Sequence, residues 1–358
     1  MQVRGARGTA SLPEVRVDPL TGQRTIVAGQ SPTGCSPPGE LPMGRSPTGC
    51  SPPGELPMGR SPTPAEPIDP STDPFAEGHE DRTAPELYAV RPHGGPPNSG
   101  GWIVRVVPSA CPALSSDSAE PERQANPDLF WAGPALGSHE VIISAPDPVT
   151  SLAQLTVEQV SVAMETWRVR MRAHPDAACL HLIVNERPEA GAAIAHTHAQ
   201  LYAFEFVPAM IARERERFGA YATRTLGSNL LADLVQEEVR RRERIVAIDG
   251  EAVLMSPYGA RFPFQLLLAP RATRMRFEDD GPIAASMLHD ALGRLTRRFG
   301  SSPPLNLWVR TAPSGAEHFC WRIDIVPRLT HIAGLELGAG VNLNTVAPEQ
   351  AAAELREI

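Results

Sequence analysis

The residues best suited to chemistry lie together in Ala190–Tyr202, which reads AGAAIAHTHAQLY. His196, His198 and Gln200 alternate, and in a strand the side chains at i, i+2 and i+4 share one face. Two imidazoles and a carboxamide would then point the same way. Imidazole is a nucleophile that needs little activation near neutral pH. A backbone carbonyl can hold its Nδ1–H and leave Nε2 to attack, while a carboxamide can donate to a phosphoryl oxygen. Gly191 and the alanines after it allow backbone N–H groups to approach an anion. Two plainer explanations compete. One is a pair of hydrogen-bonded, half-buried histidines, which three alternating polar residues on an apolar strand make the poorer choice. The other is a metal site, but no carboxylate or cysteine stands at short spacing to complete it.

The surrounding pattern supplies the elements that must position this strand. Val15–Ala28 reads as a hairpin about an Asp18-Pro-Leu-Thr-Gly22 turn. Strands are expected over 101–108, 139–144, 181–185 and 200–206. A helix is expected over 155–173 with Thr156 as N-cap, since Leu155, Val160, Met164, Trp167 and Met171 recur at helical spacing. Further helices should cover Ala209 to about Arg217 and Leu230–Arg244. The second half repeats the order: strand 264–270, helix 283–299, strands 305–310 and 321–327. The spacing therefore predicts an α+β fold of two duplicated halves with mostly antiparallel sheets. His139, His181, His289 and His331 read as ordinary element residues, and Trp102, Trp131 and Trp308 as core.

A perfect tandem repeat interrupts the first half. Ser31–Arg45 reads SPTGCSPPGELPMGR and Ser46–Arg60 repeats it, with seven Pro or Gly in each fifteen residues. Such a segment propagates neither helix nor central strand and lacks the apolar side chains to offset its ordering entropy. The expected organisation is an N-terminal hairpin (1–28), a disordered Pro/Gly-rich insertion (29–72), a first half domain with the active site (73–215) and a second half domain (216–358).

Across its 358 residues the chain has net charge -8, and every one of its 33 basic residues is arginine. The absence of lysine excludes a Schiff-base or P-loop lysine. The acidic balance argues against a nucleic-acid surface. No apolar run is long enough for a membrane helix, and no signal peptide is expected. Five scattered cysteines argue against a disulfide scaffold and a thiolate zinc site and fit a reducing cytoplasm.

His-x-His-x-Gln after a Gly-small-small loop resembles the nucleotidyl-transferase branch of the histidine-triad superfamily, and within it the galactose-1-phosphate uridylyltransferase family. The resemblance runs from about Val15 to the end, the Pro-rich insertion excepted. It includes Asp18–Gly22, Trp102–Pro108 with Pro112-Ala-Leu114, Gly137–Val141, Asn185, Gly191, Pro208, Pro327–Leu329, Ala333–Gly340 and Pro348–Ala352. It implies two tandem histidine-triad-like half domains and a ping-pong reaction in galactose metabolism. His198 would attack the α-phosphorus of UDP-glucose and pass the uridylyl group to galactose 1-phosphate. Gln200 would stabilise the phosphoryl oxygens and His196 would support the strand. Asn185 and Gly191 would contact substrate phosphate, and Glu336 and Asn342 would read sugar hydroxyls. An adenylyltransferase or dinucleoside-polyphosphate phosphorylase using the same histidine is the near alternative. A non-catalytic nucleotide-binding protein is the distant one.

Departures from the family pattern alter the expectation for cofactors. Asp73-Pro-Phe-Ala76 stands where a Cys-Pro-x-Cys zinc pair is usual, and Pro148 where a further His would follow; of that set only His196 survives. At the second, iron-type site Cys320, Arg322 and Thr273 replace histidines and Glu214 alone remains. No metal or other cofactor is therefore expected. Ala193 and Ser109 replace a Ser and an Asn that the family uses for phosphate or uridine. The expected partners are a nucleotide sugar and a hexose 1-phosphate, with no nucleic acid and no membrane; a homodimer is left open.

Overall fold

In the computed structural model, residues 14–17, 24–27, 64–117, 126 and 128–358 are described. The tandem repeat lies outside them. A three-stranded sheet joins the hairpin β1 (Glu14–Val17) and β2 (Arg24–Val27) to β5 (Ala132–Pro134). Ten strands form the main sheet. Those of the first half are β3 (Tyr88–Val90), β4 (Val104–Pro108), β6 (Gly137–Ile143), β7 (Cys179–Glu186) and β8 (His198–Phe204). The second half adds β9 (Ile245–Ile248), β10 (Ala252–Met255), β11 (Leu266–Pro270), β12 (Leu305–Arg310) and β13 (Arg322–Pro327).

The strand order is β3-β4-β6-β8-β7-β12-β13-β11-β10-β9, antiparallel at every described pair. Read outward from the β7–β12 junction, β7, β8, β6 and β4 on one side match β12, β13, β11 and β10 on the other. The duplicated units thus meet strand to strand and share one continuous α+β sheet. Helix α1 (Val157–Arg172) joins β6 to β7, and α4 (Ala285–Phe299) joins β11 to β12. The expected N-cap is present: Thr156 accepts the Gln159 N–H, and Gln159 reciprocates.

Strand alternation divides the sheet into two unlike faces. Leu182, Val184, Ala199, Leu201, Leu305, Leu307, Val309, Ile323 and Ile325 point toward α1 and α4 and form the main core with Met164, Trp167, Leu288 and Leu292. The opposite face carries His139, His198, Gln200 and Tyr202 in the first half and Trp308, Arg310, Arg322 and Asp324 in the second, by cross-strand register. His198 and Gln200, which broke the apolar pattern of their strand in the sequence, lie on this face. Gly137 is required where β6 begins. Its φ is +140°, and a Cβ there would lie 2.1 Å from the Ala203 carbonyl oxygen.

Some elements differ from expectation. The hairpin β9–β10 lies outside the expected repeat unit, although Ile245–Ile248, Asp249-Gly250 and Ala252–Met255 carry a hairpin pattern. Helix α2 (Ala209–Thr225) runs past Arg217, and the expected division between 215 and 216 lies inside it. Helices α3 (Leu230–Arg241), α5 (Gly334–Ala339) and α6 (Pro348–Arg356) complete the chain. Cys179 and Cys320 are free thiols, while Cys111 is disulfide-bonded, which the scattered cysteines did not suggest.

Candidate active site

Strand β8 opens on a segment fixed residue by residue. His196, fully buried, has Nδ1 2.6 Å from Asp73 Oδ2 and Nε2 3.0 Å from the Ala145 carbonyl. Both ring nitrogens face acceptors, so neither is left for a substrate. Thr197 donates its N–H to Val149 O and its hydroxyl to the buried carboxylate of Glu186, which also takes the Ser151 hydroxyl and the Leu152 N–H. Burial raises the Glu186 carboxyl's proton affinity against those donors.

His198 is held differently. Its Nδ1 lies 2.7 Å from the carbonyl of His196. A carbonyl accepts only, so Nδ1 carries the proton and Nε2 keeps its lone pair. Burial pushes this imidazole below its ordinary range, opposed by that same hydrogen bond, which favours the neutral ring. The Phe75 ring meets it edge-on at 5.2 Å. His198 and Gln200 line a cavity of about 380 Å³ with Ala193, Ile194, Ser109 and Arg82. The two positions that depart from the family's polar contacts, Ala193 and Ser109, are therefore walls of the cavity that holds His198. Arg82, on the exposed rim, is a cation that sequence reasoning passed over.

Sequence reasoning also missed what orients Gln200. Its Oε1 lies 3.0 Å from His139 Nε2 and accepts the Tyr202 hydroxyl at 2.9 Å. His139 in turn takes the Ala113 N–H at Nδ1 and stacks on Tyr202 at 4.1 Å. With Oε1 occupied by two donors, the amide N–H₂ edge of Gln200 is the one left to donate. Burial drops His139 to about 4, so it remains a neutral Nε2–H donor. The signal was present, since His139 stands opposite Tyr202 across β6 and β8, but strand pairing is needed to see it.

The remaining expected site residues lie elsewhere. The Asn185 carboxamide oxygen accepts from Asn306, which also donates to Ala190 O and accepts from Arg328. Gly191 adopts φ +88° with open space about a Cβ, so its backbone conformation is what requires glycine. Glu336 caps its own short helix through the Ala333 N–H and does not line the cavity, nor does Asn342. A sugar-reading role for these two has no support from their placement within one chain.

The residues present do not fit a zinc ion. Asp73 spends one carboxylate oxygen on His196 and the other on the Phe75 N–H, and Ala76 and Pro148 offer no side-chain donor. At the second site Glu214 is ion-paired to Arg322 and Arg310. Among the described residues no three His, Cys, Asp or Glu side chains are grouped to hold a metal.

Residues 104–208 match the model of the galactose-1-phosphate uridyl transferase N-terminal domain. The galactose-1-phosphate uridylyltransferase of Haemophilus influenzae is 28% identical over 261 residues, 69% of this chain and 74% of that protein. The chain is thus similar to the galactose-1-phosphate uridylyltransferase family. Like these relatives it is a nucleotidyltransferase-type enzyme. Another relative, the ADP-glucose phosphorylase of Arabidopsis thaliana, is 26% identical over 304 residues, 81% of this chain and 82% of that protein. The uridylyltransferase fold extends across both halves: a solved uridylyltransferase superposes with TM-score 0.73 at 22% identity, covering 96% of this chain and 98% of that one. An Arabidopsis ADP-glucose phosphorylase solved with ADP-glucose gives 0.69 at 22%, covering 97% and 99%. Among the described residues no helix is long and apolar enough to cross a membrane.

Proposed function

We propose that this enzyme moves a nucleoside monophosphoryl group from a nucleotide hexose to a phosphate acceptor through a covalent His198 intermediate. The observation that carries the reading is the His198 Nδ1 to His196 O hydrogen bond, which leaves Nε2 free in the cavity. Nε2 attacks the α-phosphorus, the N–P bond forms, and the P–O bond to hexose 1-phosphate breaks. The positive charge gained by the ring is shared with the His196 carbonyl through Nδ1–H. The Gln200 N–H₂ edge donates to the phosphoryl oxygen that gains charge. In the second half-reaction a phosphate oxygen of the acceptor attacks phosphorus, the N–P bond breaks, and neutral His198 is restored.

Uridylyl transfer from UDP-glucose to galactose 1-phosphate is the first reading, supported by the family match. Phosphorolysis of ADP-glucose is the second, supported by similarity to the phosphorylase over 81% of this chain. Neither reading needs a metal, and we propose that the site works without one.

The test is mass spectrometry of protein incubated with UDP-glucose or ADP-glucose, without acceptor and with a chelator present. The peptide bearing His198 should gain one nucleotidyl mass, which identifies the base. The adduct should be acid-labile and base-stable, and absent in His198→Asn. Discharge by galactose 1-phosphate or by inorganic phosphate then separates the two readings. An adduct on another residue, or turnover by His198→Asn, would overturn the assignment.

A further inference from the structure

The polar face of the sheet holds another cavity, in the half without the histidine pair. It measures about 460 Å³ and lies between α2, α3, the 257–265 segment, β12 and β13. Five arginines line it, Arg213, Arg217, Arg261, Arg310 and Arg322, against two carboxylates, Glu214 and Asp324. That surplus of three positive charges stands in a chain of net charge -8, so it is a local feature and not a reflection of composition.

The deep arginines are short of counter-charge. Arg322 takes up Glu214 and also lies 3.0 Å from Asp324. Arg310, 9% exposed, must share the same Glu214. Its Nε lies 3.3 Å from a Glu214 oxygen, yet the angle is too poor for a hydrogen bond and the nitrogen is unsatisfied. The buried Trp308 Nε1, in the same wall, has no partner either. Arg261 and Arg310 each place a guanidinium 5.8 Å from the Trp308 ring. Arg213, Arg217 and Arg261 make no ion pair among the described residues. Buried donors without acceptors are costly, and an anion of tetrahedral oxygens would satisfy several together.

We propose that this cavity is an anion site, separate from the His198 cavity, that binds a phosphate-bearing small molecule. The phosphate would sit on Arg310, Arg261 and the Trp308 indole N–H. Arg213 and Arg217 would steer it from the rim, and the exposed Tyr258 would flank whatever the phosphate carries. A monoester and free phosphate share this chemistry, so three probes distinguish the source: inorganic phosphate, glucose 1-phosphate and AMP.

The experiment titrates each probe into the full-length protein and follows tryptophan fluorescence, with uncharged glucose as control. At least one phosphate probe should give a saturable response at millimolar concentration or below, absent in Trp308→Phe. Arg261→Gln should weaken it about tenfold or more, as for one lost charge-assisted contact. Arg213→Gln, an exposed change that leaves the fold intact, should weaken it several-fold, and added salt should do the same. A response that survives in Trp308→Phe would place binding elsewhere. That result, an equal response to glucose, unchanged affinity in both arginine variants, or no response to any probe would overturn the proposal.

Discussion

A carboxamide presents either a donor or an acceptor edge, and only the donor edge helps a phosphoryl group. For Gln200 the choice is made by His139 and Tyr202, which both donate to Oε1. His139→Phe keeps a ring against Tyr202 but removes one donor. Nucleotidyl labelling of His198 should then slow by about tenfold, less than the 10²–10³ of losing an oxyanion donor outright, with little change in the affinity for the nucleotide sugar. Rapid-quench labelling at saturating substrate checks this, and an unchanged rate would make His139 a packing residue. The same histidine sets a pH dependence. Its folded value, pulled by burial to about 4 from the ordinary 6.5, is depressed. Stability is therefore full above pH 6.5 and is lost as pH falls toward 4, because the unfolded chain takes the proton first; the full shift corresponds to about 3 kcal/mol. His181, pushed by burial to about 3, acts in the same direction. Urea unfolding at pH 7 and pH 4.5 should show a smaller acid loss in His139→Phe than in the parent.

Between residue and fold stands the segment that begins at Asp73. Its carboxylate reaches His196, and Phe75 two residues on packs edge-on to His198. The carbonyl of His196 then fixes the tautomer of His198. This buried pair, with Phe75, joins a segment from before the first half's sheet to the entry of β8. Cutting one partner from such a pair leaves the other uncompensated. Asp73→Ala should cost about 3 kcal/mol in denaturant unfolding and should slow labelling of His198. Asp73→Asn, which keeps an acceptor for the ring N–H, should recover much of both. Equal stability of the parent and Asp73→Ala would show that the pair holds nothing together.

At the scale of the molecule the two halves are welded and not merely tethered. β7 pairs with β12 over five residues, and α1 packs on α4 over one shared core. The Asn185–Asn306–Arg328 chain crosses the same junction. We propose that the halves are structural repeats without independent stability. Calorimetry should give one transition whose calorimetric and van't Hoff enthalpies agree. The fragment 216–358, which would expose the β12 edge and cut α2, should not fold alone. Two resolved transitions, or a cooperatively folded fragment, would contradict this.

Sequence alone located most of the elements and singled out His198 as the candidate nucleophile. Apolar periodicity is local, so it located α1 with its Thr156 cap and the central strands of both halves. The alternation of His196, His198 and Gln200 located the chemistry for the same reason. Periodicity could not tell that the three side chains have unlike partners. His196 precedes the regular strand and turns to Asp73, 123 residues away in sequence; His198 keeps a ring nitrogen and Gln200 an amide N–H₂ edge facing the cavity. His139, read as an ordinary strand residue, became the orienter of Gln200. Arg310, read as the end of a strand, and Arg322, read at a dismantled metal site, became the floor of a charged cavity. Each of these roles is a contact between residues far apart in the chain. Such contacts follow from strand order and register, which the face-to-face burial of the whole sheet decides and no single segment encodes.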